Sequence, residues 1–202
     1  MKLYFSPGAC SLASHIALYE SGLPFEIDKL NVPTKTTASG EDFMQINPKG
    51  YVPTLRLNDG SVLTEGAAIL QYIADQNPAS GLAPKAGTME RYRLQEWLTF
   101  IGTEIHKSFS PMFNKAASDD VKNYARNLLA KRLGYVESQL AGKPYLMGDS
   151  FTVADAYLFV VASWSNHVAF DLEAFPHVRE YLARISARPT VQAAMKAEGL
   201  IQ

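Results

Sequence analysis

The sequence predicts an α/β portion over residues 1–77 and an all-helical portion over residues 88–202, joined by a linker over residues 78–87. Three observations carry this division. Strand-like and helix-like periodicities alternate through the first 77 residues. The stretch from Asn77-Pro78 to Gly87 then brings two prolines and two glycines among small residues. Beyond it every patterned segment repeats at helical spacing.

Taken in order, Lys2-Leu3-Tyr4-Phe5 reads as a short strand, and Ser6-Pro7-Gly8 breaks it. Leu12, Ile16 and Ala17 set a helix from Ser11 to Ser21, stopped by Gly22. Phe25 to Leu30 alternates apolar and charged residues, as a strand does. Residues 31–47 are polar and irregular, with room for one helical turn. Val52 to Leu57 and Ser61 to Thr64 read as two strands around the hairpin turn Asn58-Asp59-Gly60. Ala67 to Asp75 is a short apolar helix. The order β-α-β, irregular segment, β-β-α is that of a thioredoxin-like domain, with a crossover helix joining a parallel pair and a hairpin supplying an antiparallel one. In the second part, residues 88–109 and 119–141 form long amphipathic patterns. Thr152-Val153-Ala154-Asp155 reads as a capping box before an apolar run to Val168. Two short helices follow Pro176 and Pro189, residues suited to a first helical turn.

The chain has 202 residues, 47% hydrophobic and 19% charged, with a net charge of −1. That length buries a sizeable core without metal or disulfide. The charge gives no reason to expect nucleic acid or an anionic membrane as partner. No apolar run reaches the ~18–20 residues of a membrane span, and the N-terminal run is too short for a signal peptide. Cys10 is the sole cysteine, so no intrachain disulfide forms. A cytoplasmic location is the expectation.

Cys10 stands where a strand-turn-helix unit begins its helix. Free N–H groups and the helix dipole favour an anion there, and a thiol so placed is activated. The competing reading is an inert thiol packed as a small hydrophobe. Position 7 is proline, so there is no Cys-x-x-Cys and a dithiol oxidoreductase is disfavoured. Val52-Pro53 enters a strand. With a cis bond the Val52 backbone would face outward and pair with an extended peptide; otherwise Pro53 is an ordinary turn proline. Thr64-Glu65-Gly66 opens a helix. Gly66 would let a carboxylate approach the helix N-terminus while Glu65 pairs with an amino group; alternatively Glu65 only complements the dipole. On the long helix, Leu94, Leu98, Ile101 and Ile105 form an apolar stripe. Thr99, Thr103, His106, Lys107 and Ser110 lie beside it at spacings of three and four. That face suits the wall of a polar cleft, although a structural role for His106 stays open. Lys35 sits in the irregular segment, where most lysines are simply solvated. His15, His167 and His177 show no ligand spacing with each other or with Cys10, and no metal is expected. No dinucleotide or P-loop glycine pattern occurs.

Together, Ser6-Pro7-Gly8-Ala9-Cys10, the run Asn47 to Leu55, Leu63-Thr64-Glu65-Gly66-Ala67-Ala68-Ile69 and Gly148 to Asp155 resemble the glutathione transferase family over nearly the whole chain. Cys10 and His106-Lys107 look like its bacterial beta class. The resemblance implies glutathione as co-substrate and a homodimer. It implies that Val52 pairs through its backbone with the cysteinyl part, that Glu65 and Gly66 hold the γ-glutamyl end, that Lys35 reaches the glycyl carboxylate, and that Ala9 and Pro53 also bind glutathione. Thr99, Thr103, His106 and Lys107 would line the facing wall, with Cys10 and His106 as the catalytic pair and the helical part supplying the electrophile pocket. Other classes place a catalytic tyrosine where Phe5 ends the first strand. Tyr4 should point to the opposite face. Thr152 and Asp155 match the family's helix cap and belong to folding. Three activities compete: conjugation of the glutathione thiolate to a small electrophile; thiol-disulfide exchange, peroxide reduction or reductive dehalogenation through Cys10; and a non-enzymatic binding module of the same fold.

Overall fold

The computed structural model describes residues 1–202 as two compact units. The first comprises Met1–Ala83 with Arg188–Gln202, the second Pro84–Ala187.

In the first unit the sheet has the order β3-β2-β1-β4-β5. Its strands are β1 (Lys2–Phe5), β2 (Glu26–Asn31), β3 (Thr36–Thr37), β4 (Thr54–Arg56) and β5 (Val62–Thr64). β1 pairs parallel with β2 and antiparallel with β4, and β4 pairs antiparallel with β5 across the expected hairpin. The thioredoxin-like expectation holds, and the central place of β1 explains why Leu3, Tyr4 and Phe5 are all buried. The segment read as irregular contains β3 and the single turn α2 (Phe43–Ile46). Two-residue strands leave no period to detect.

Helix α1 spans Ser11–Ser21 and ends on Gly22, whose φ of 67° closes it with a left-handed cap. Every residue from Ser11 to Leu18 is buried. A helix buried all round needs cover on several sides. Here β1, α3 (Gly66–Gln76) and α9 (Pro189–Ala197) supply it. α9 therefore departs from the sequence expectation, which placed residues 88–202 in one helical domain. Its apolar face, with Val191 and Ala194, packs on α1, and Arg188 grips Glu20 of α1 at 2.7 and 2.8 Å.

In the second unit, α4 (Met89–Phe100) runs through a π-helical turn (Ile101–His106) into α5 (Lys107–Phe113). The expected stripe Leu94, Leu98, Ile101 and Ile105 is fully buried. The helix runs past the expected end at residue 109, and Pro111 lies within its last turn. α6 (Asp119–Leu140) matches the second amphipathic pattern. α7 (Val153–Ser163) is buried from Val153 to Ala162 and is the unit's central helix. It is shorter than the apolar run, because Trp164–His167 tighten into a 3₁₀ turn. α8 (Pro176–Ser186) completes the unit. No helix is long and apolar enough to cross a membrane.

Candidate active site

The first unit gathers Cys10, Lys35, Val52, Pro53, Glu65 and Gly66 through three short connections. The turn after β1 closes with the Ala9 N–H donating to the Ser6 carbonyl at 3.0 Å. Ser11 braces the same turn, its hydroxyl accepting from the Ser6 N–H at 3.2 Å. Cys10 follows as the N-cap of α1, half-buried, with no acidic residue in the first helical turn. No acidic side chain of α1's own first turn therefore competes with Cys10 for the helix dipole. The thiol donates to the Val52 carbonyl at 3.4 Å, and the Val52–Pro53 bond is cis. Ala9 and Val52 border one cluster with Tyr4, Leu30 and Phe43.

Glu65 is the N-cap of α3, with φ at 70° and no side-chain capping bond. A left-handed backbone at a non-glycine residue is strained, and such strain concentrates at functional sites. Lys35 shares the feature, with φ at 56°. Its ammonium donates to the Gly50 carbonyl at 2.6 Å, which binds the β2–β3 connection to the segment before Val52. The Glu65 carboxylate accepts from Lys49 at 2.6 Å and from the Tyr51 hydroxyl at 3.0 Å. Those hydrogen bonds hold both donors above their ordinary pKa values. Beyond Glu65, a Cβ placed on Gly66 would meet only Pro53, at 3.8 Å.

Tyr4 packs edge-on against Phe43, whereas the neighbouring Phe5 ring meets His15 of α1. The Tyr4 hydroxyl donates to Glu41 at 3.0 Å, and burial together with that carboxylate pushes its pKa upward. Tyr4 is thus no source of a proton or a phenolate for a thiol near Cys10.

In the second unit, Thr99, Thr103 and Lys107 are exposed and His106 is half-buried on the π-helical stretch. Thr103 turns its hydroxyl back to the Thr99 carbonyl at 2.9 Å. His106 Nδ1 lies 2.8 Å from the Tyr157 hydroxyl, and its ring meets Trp164 edge-on at 4.9 Å. Burial, aided by Lys107, pushes the imidazole down to about 4, so the ring is neutral near pH 7. In the tautomer with Tyr157 donating to Nδ1, Nε2 carries the proton and is a neutral donor; in the other, Nδ1 donates to the Tyr157 hydroxyl.

The comparisons agree from end to end of the chain. Residues 8–76 match the family description "Glutathione S-transferase, N-terminal domain", and residues 100–189 match "Glutathione S-transferase, C-terminal domain". Glutathione S-transferase GstA of Escherichia coli O157:H7 is 44% identical, covering 99% of this chain and 100% of its own. The chain belongs to the glutathione S-transferase family. Two solved members share its structure. A sphingomonad glutathione S-transferase complexed with glutathione is 50% identical with a TM-score of 0.96, covering 100% of both chains. The bacterial beta class glutathione S-transferase of Sphingomonas chungbukensis is 49% identical with a TM-score of 0.96 over the same coverage.

Sequence reasoning about this transferase missed Lys49, Tyr51, Tyr157 and Trp164 as partners of site residues. Lys49 and Tyr51 both precede the cis proline, within the run Asn47 to Leu55. Tyr157 was hidden in the apolar pattern of α7. Nothing local says that its hydroxyl meets a histidine 51 positions away.

Proposed function

We propose that this transferase conjugates the glutathione thiolate to small electrophiles, activated aromatic halides among them. One observation carries the reading: the starts of α1 and α3 meet the cis Val52–Pro53 segment within one unit, the Cys10 thiol at the Val52 carbonyl and Gly66 beside Pro53. The backbone of Val52 would pair with the cysteinyl amide, as a short added strand does. Gly66 and the start of α3 would receive the γ-glutamyl carboxylate, and Glu65 its ammonium, in exchange for Lys49. Lys35 would meet the glycyl carboxylate, with Ala9 and Pro53 in van der Waals contact. The sulfur would then lie by Cys10 at the positive end of α1, where the thiolate is favoured. Thr99, Thr103 and Lys107 complete the assignment, and His106 serves as a neutral donor rather than a cation. The electrophile loses its leaving group as the thioether forms. The test is turnover of an activated aryl halide by a protein retained on immobilised glutathione. Retention without turnover would defeat the conjugation reading.

A second reading rests on the Cys10 thiol itself, half-buried and engaged with the Val52 carbonyl. As a thiolate it would attack oxidised glutathione, forming a mixed disulfide and releasing one glutathione thiolate; attack of a second glutathione thiolate on the glutathione sulfur would then expel the Cys10 thiolate and form oxidised glutathione. Intact mass after exposure to oxidised glutathione decides it. An adduct lost in Cys10→Ala supports exchange, and its absence in the native protein eliminates it.

Beta-class membership rests on Cys10 together with His106-Lys107. We assign the chain as a cytoplasmic homodimer without a bound metal. A groove of about 730 Å³ between α4 and α6, lined by Trp97, Phe100 and Tyr135, supports a subunit contact there. Light scattering at micromolar concentration should return twice the 22.2 kDa chain mass.

A further inference from the structure

The last turn of the chain reaches the turn that carries the thiol. Glu198, just after α9, has a buried side chain, as has His15 of α1. One Glu198 oxygen accepts from the Gly8 N–H at 2.9 Å, and the other lies 3.0 Å from His15 Nδ1. Leu200 then packs at Gly8, within 3.5 Å of where a Cβ would stand. A buried carboxylate is retained only where donors satisfy it, so this arrangement is specific. Gly8 itself has φ of 69° and lies two residues before Cys10.

A second link ties the same segment to the same helix without touching the turn. Arg188 and Thr190 both bind Glu20, near the C-terminal end of α1. The two links divide the labour: one fixes the segment to α1, and the other reaches past α1 to the backbone before the thiol.

From this we infer that Glu198 is a positioning residue for Cys10, holding the Ser6–Cys10 turn through the Gly8 N–H so that the C-terminal segment sets where the thiol stands. The inference builds on the site proposed above, but its readout is independent of glutathione. A side chain that touches no substrate acts by fixing the group that does.

Cys10 is the sole cysteine, so alkylation by iodoacetamide, followed by intact mass from pH 5 to 9, reports on it alone. Glu198→Met keeps the length and removes both acceptor oxygens. It should move the midpoint of the alkylation profile by at least half a pH unit and lower kcat at least fivefold. Glu198→Gln keeps an acceptor for Gly8 and should stay within twofold of wild type in kcat. Arg188→Lys weakens the other link and should leave the profile in place. An unchanged profile in Glu198→Met, an equal shift in Arg188→Lys, or a Gln variant as impaired as the Met one overturns the inference. If the Met variant does not fold, hydrogen exchange on the wild type decides. The Gly8 amide should open together with the amides of 198–200, and unprotected exchange at Gly8 refutes the link. A shifted profile with no activity toward any electrophile would count against the conjugation reading and leave the role of Glu198 standing.

Discussion

Two helix N-termini in this protein are built in opposite ways. α7 begins closed. Asp155 is fully buried and its carboxylate accepts from the Thr152 N–H at 2.8 Å, the Thr152 hydroxyl at 3.0 Å, the Leu146 N–H at 2.9 Å and the Tyr181 hydroxyl at 3.1 Å. α1 begins open, with no side-chain cap, no acid in its first turn and a half-buried thiol as its N-cap. The closed end holds a carboxylate of its own first turn, satisfied by the N-cap N–H and by three donors from around it, and stabilises the second unit. The open end keeps its positive potential for a group that is not part of the helix. Glu65 at the start of α3 belongs with the open type, since its carboxylate points to Lys49 and Tyr51 rather than back into its own helix.

Changes at the closed end should therefore cost stability, and changes at the open ends should cost chemistry. The largest effect is expected for Asp155→Ala, which strips four donors of their acceptor. It should destabilise by about 3–5 kcal/mol in urea unfolding, because each buried unpaired donor costs about 1–3 kcal/mol. Glu65→Gln comes next. It should raise KM for glutathione about tenfold or more, which is ~1.4 kcal/mol of binding, with the unfolding midpoint nearly unmoved. Third, Thr152→Ala should lose about 1 kcal/mol of stability. Cys10→Ala should lose less than about 0.5 kcal/mol, because the thiol makes no side-chain capping bond and gives up only a long hydrogen bond to the Val52 carbonyl. A Cys10→Ala protein as unstable as Thr152→Ala would erase the distinction between open and closed ends.

A separate comparison lies in pH dependence, where two buried groups oppose each other. His106 is pushed from 6.5 to about 4 by burial, so the unfolded chain binds the extra proton between those values. Its contribution to stability is present above pH 6.5 and is lost as the pH falls towards 4. Asp155 is pushed from 3.8 up to about 6, burial outweighing its hydrogen bonds. Its contribution is present below pH 3.8 and is lost as the pH rises through 6. In the native protein the two slopes largely cancel. His106→Gln removes only the first, so its stability should fall more steeply than wild type as pH rises from 4 to 6. Chemical denaturation at pH 4.5 and 6 measures this, and parallel curves would show that His106 is not desolvated as described.

The division into a mixed sheet followed by helices was readable because its carriers are local. Alternation in β1, the Asn58-Asp59-Gly60 turn, Gly22 as a cap and the stripe from Leu94 to Ile105 each follow from neighbours in sequence. The order of the sequence motifs also marks Cys10, Val52, Glu65 and His106 as candidate site residues. Tertiary structure alone decided the rest. It carried α9 back to α1, brought Glu198 to Gly8 across 190 positions, and set Tyr157 against His106. It also left the N-terminus of α1 open while closing that of α7. The physical reason is range. Periodicity and capping act over one or two turns, whereas the partner of a buried polar group is chosen by whichever distant segment fills the space beside it.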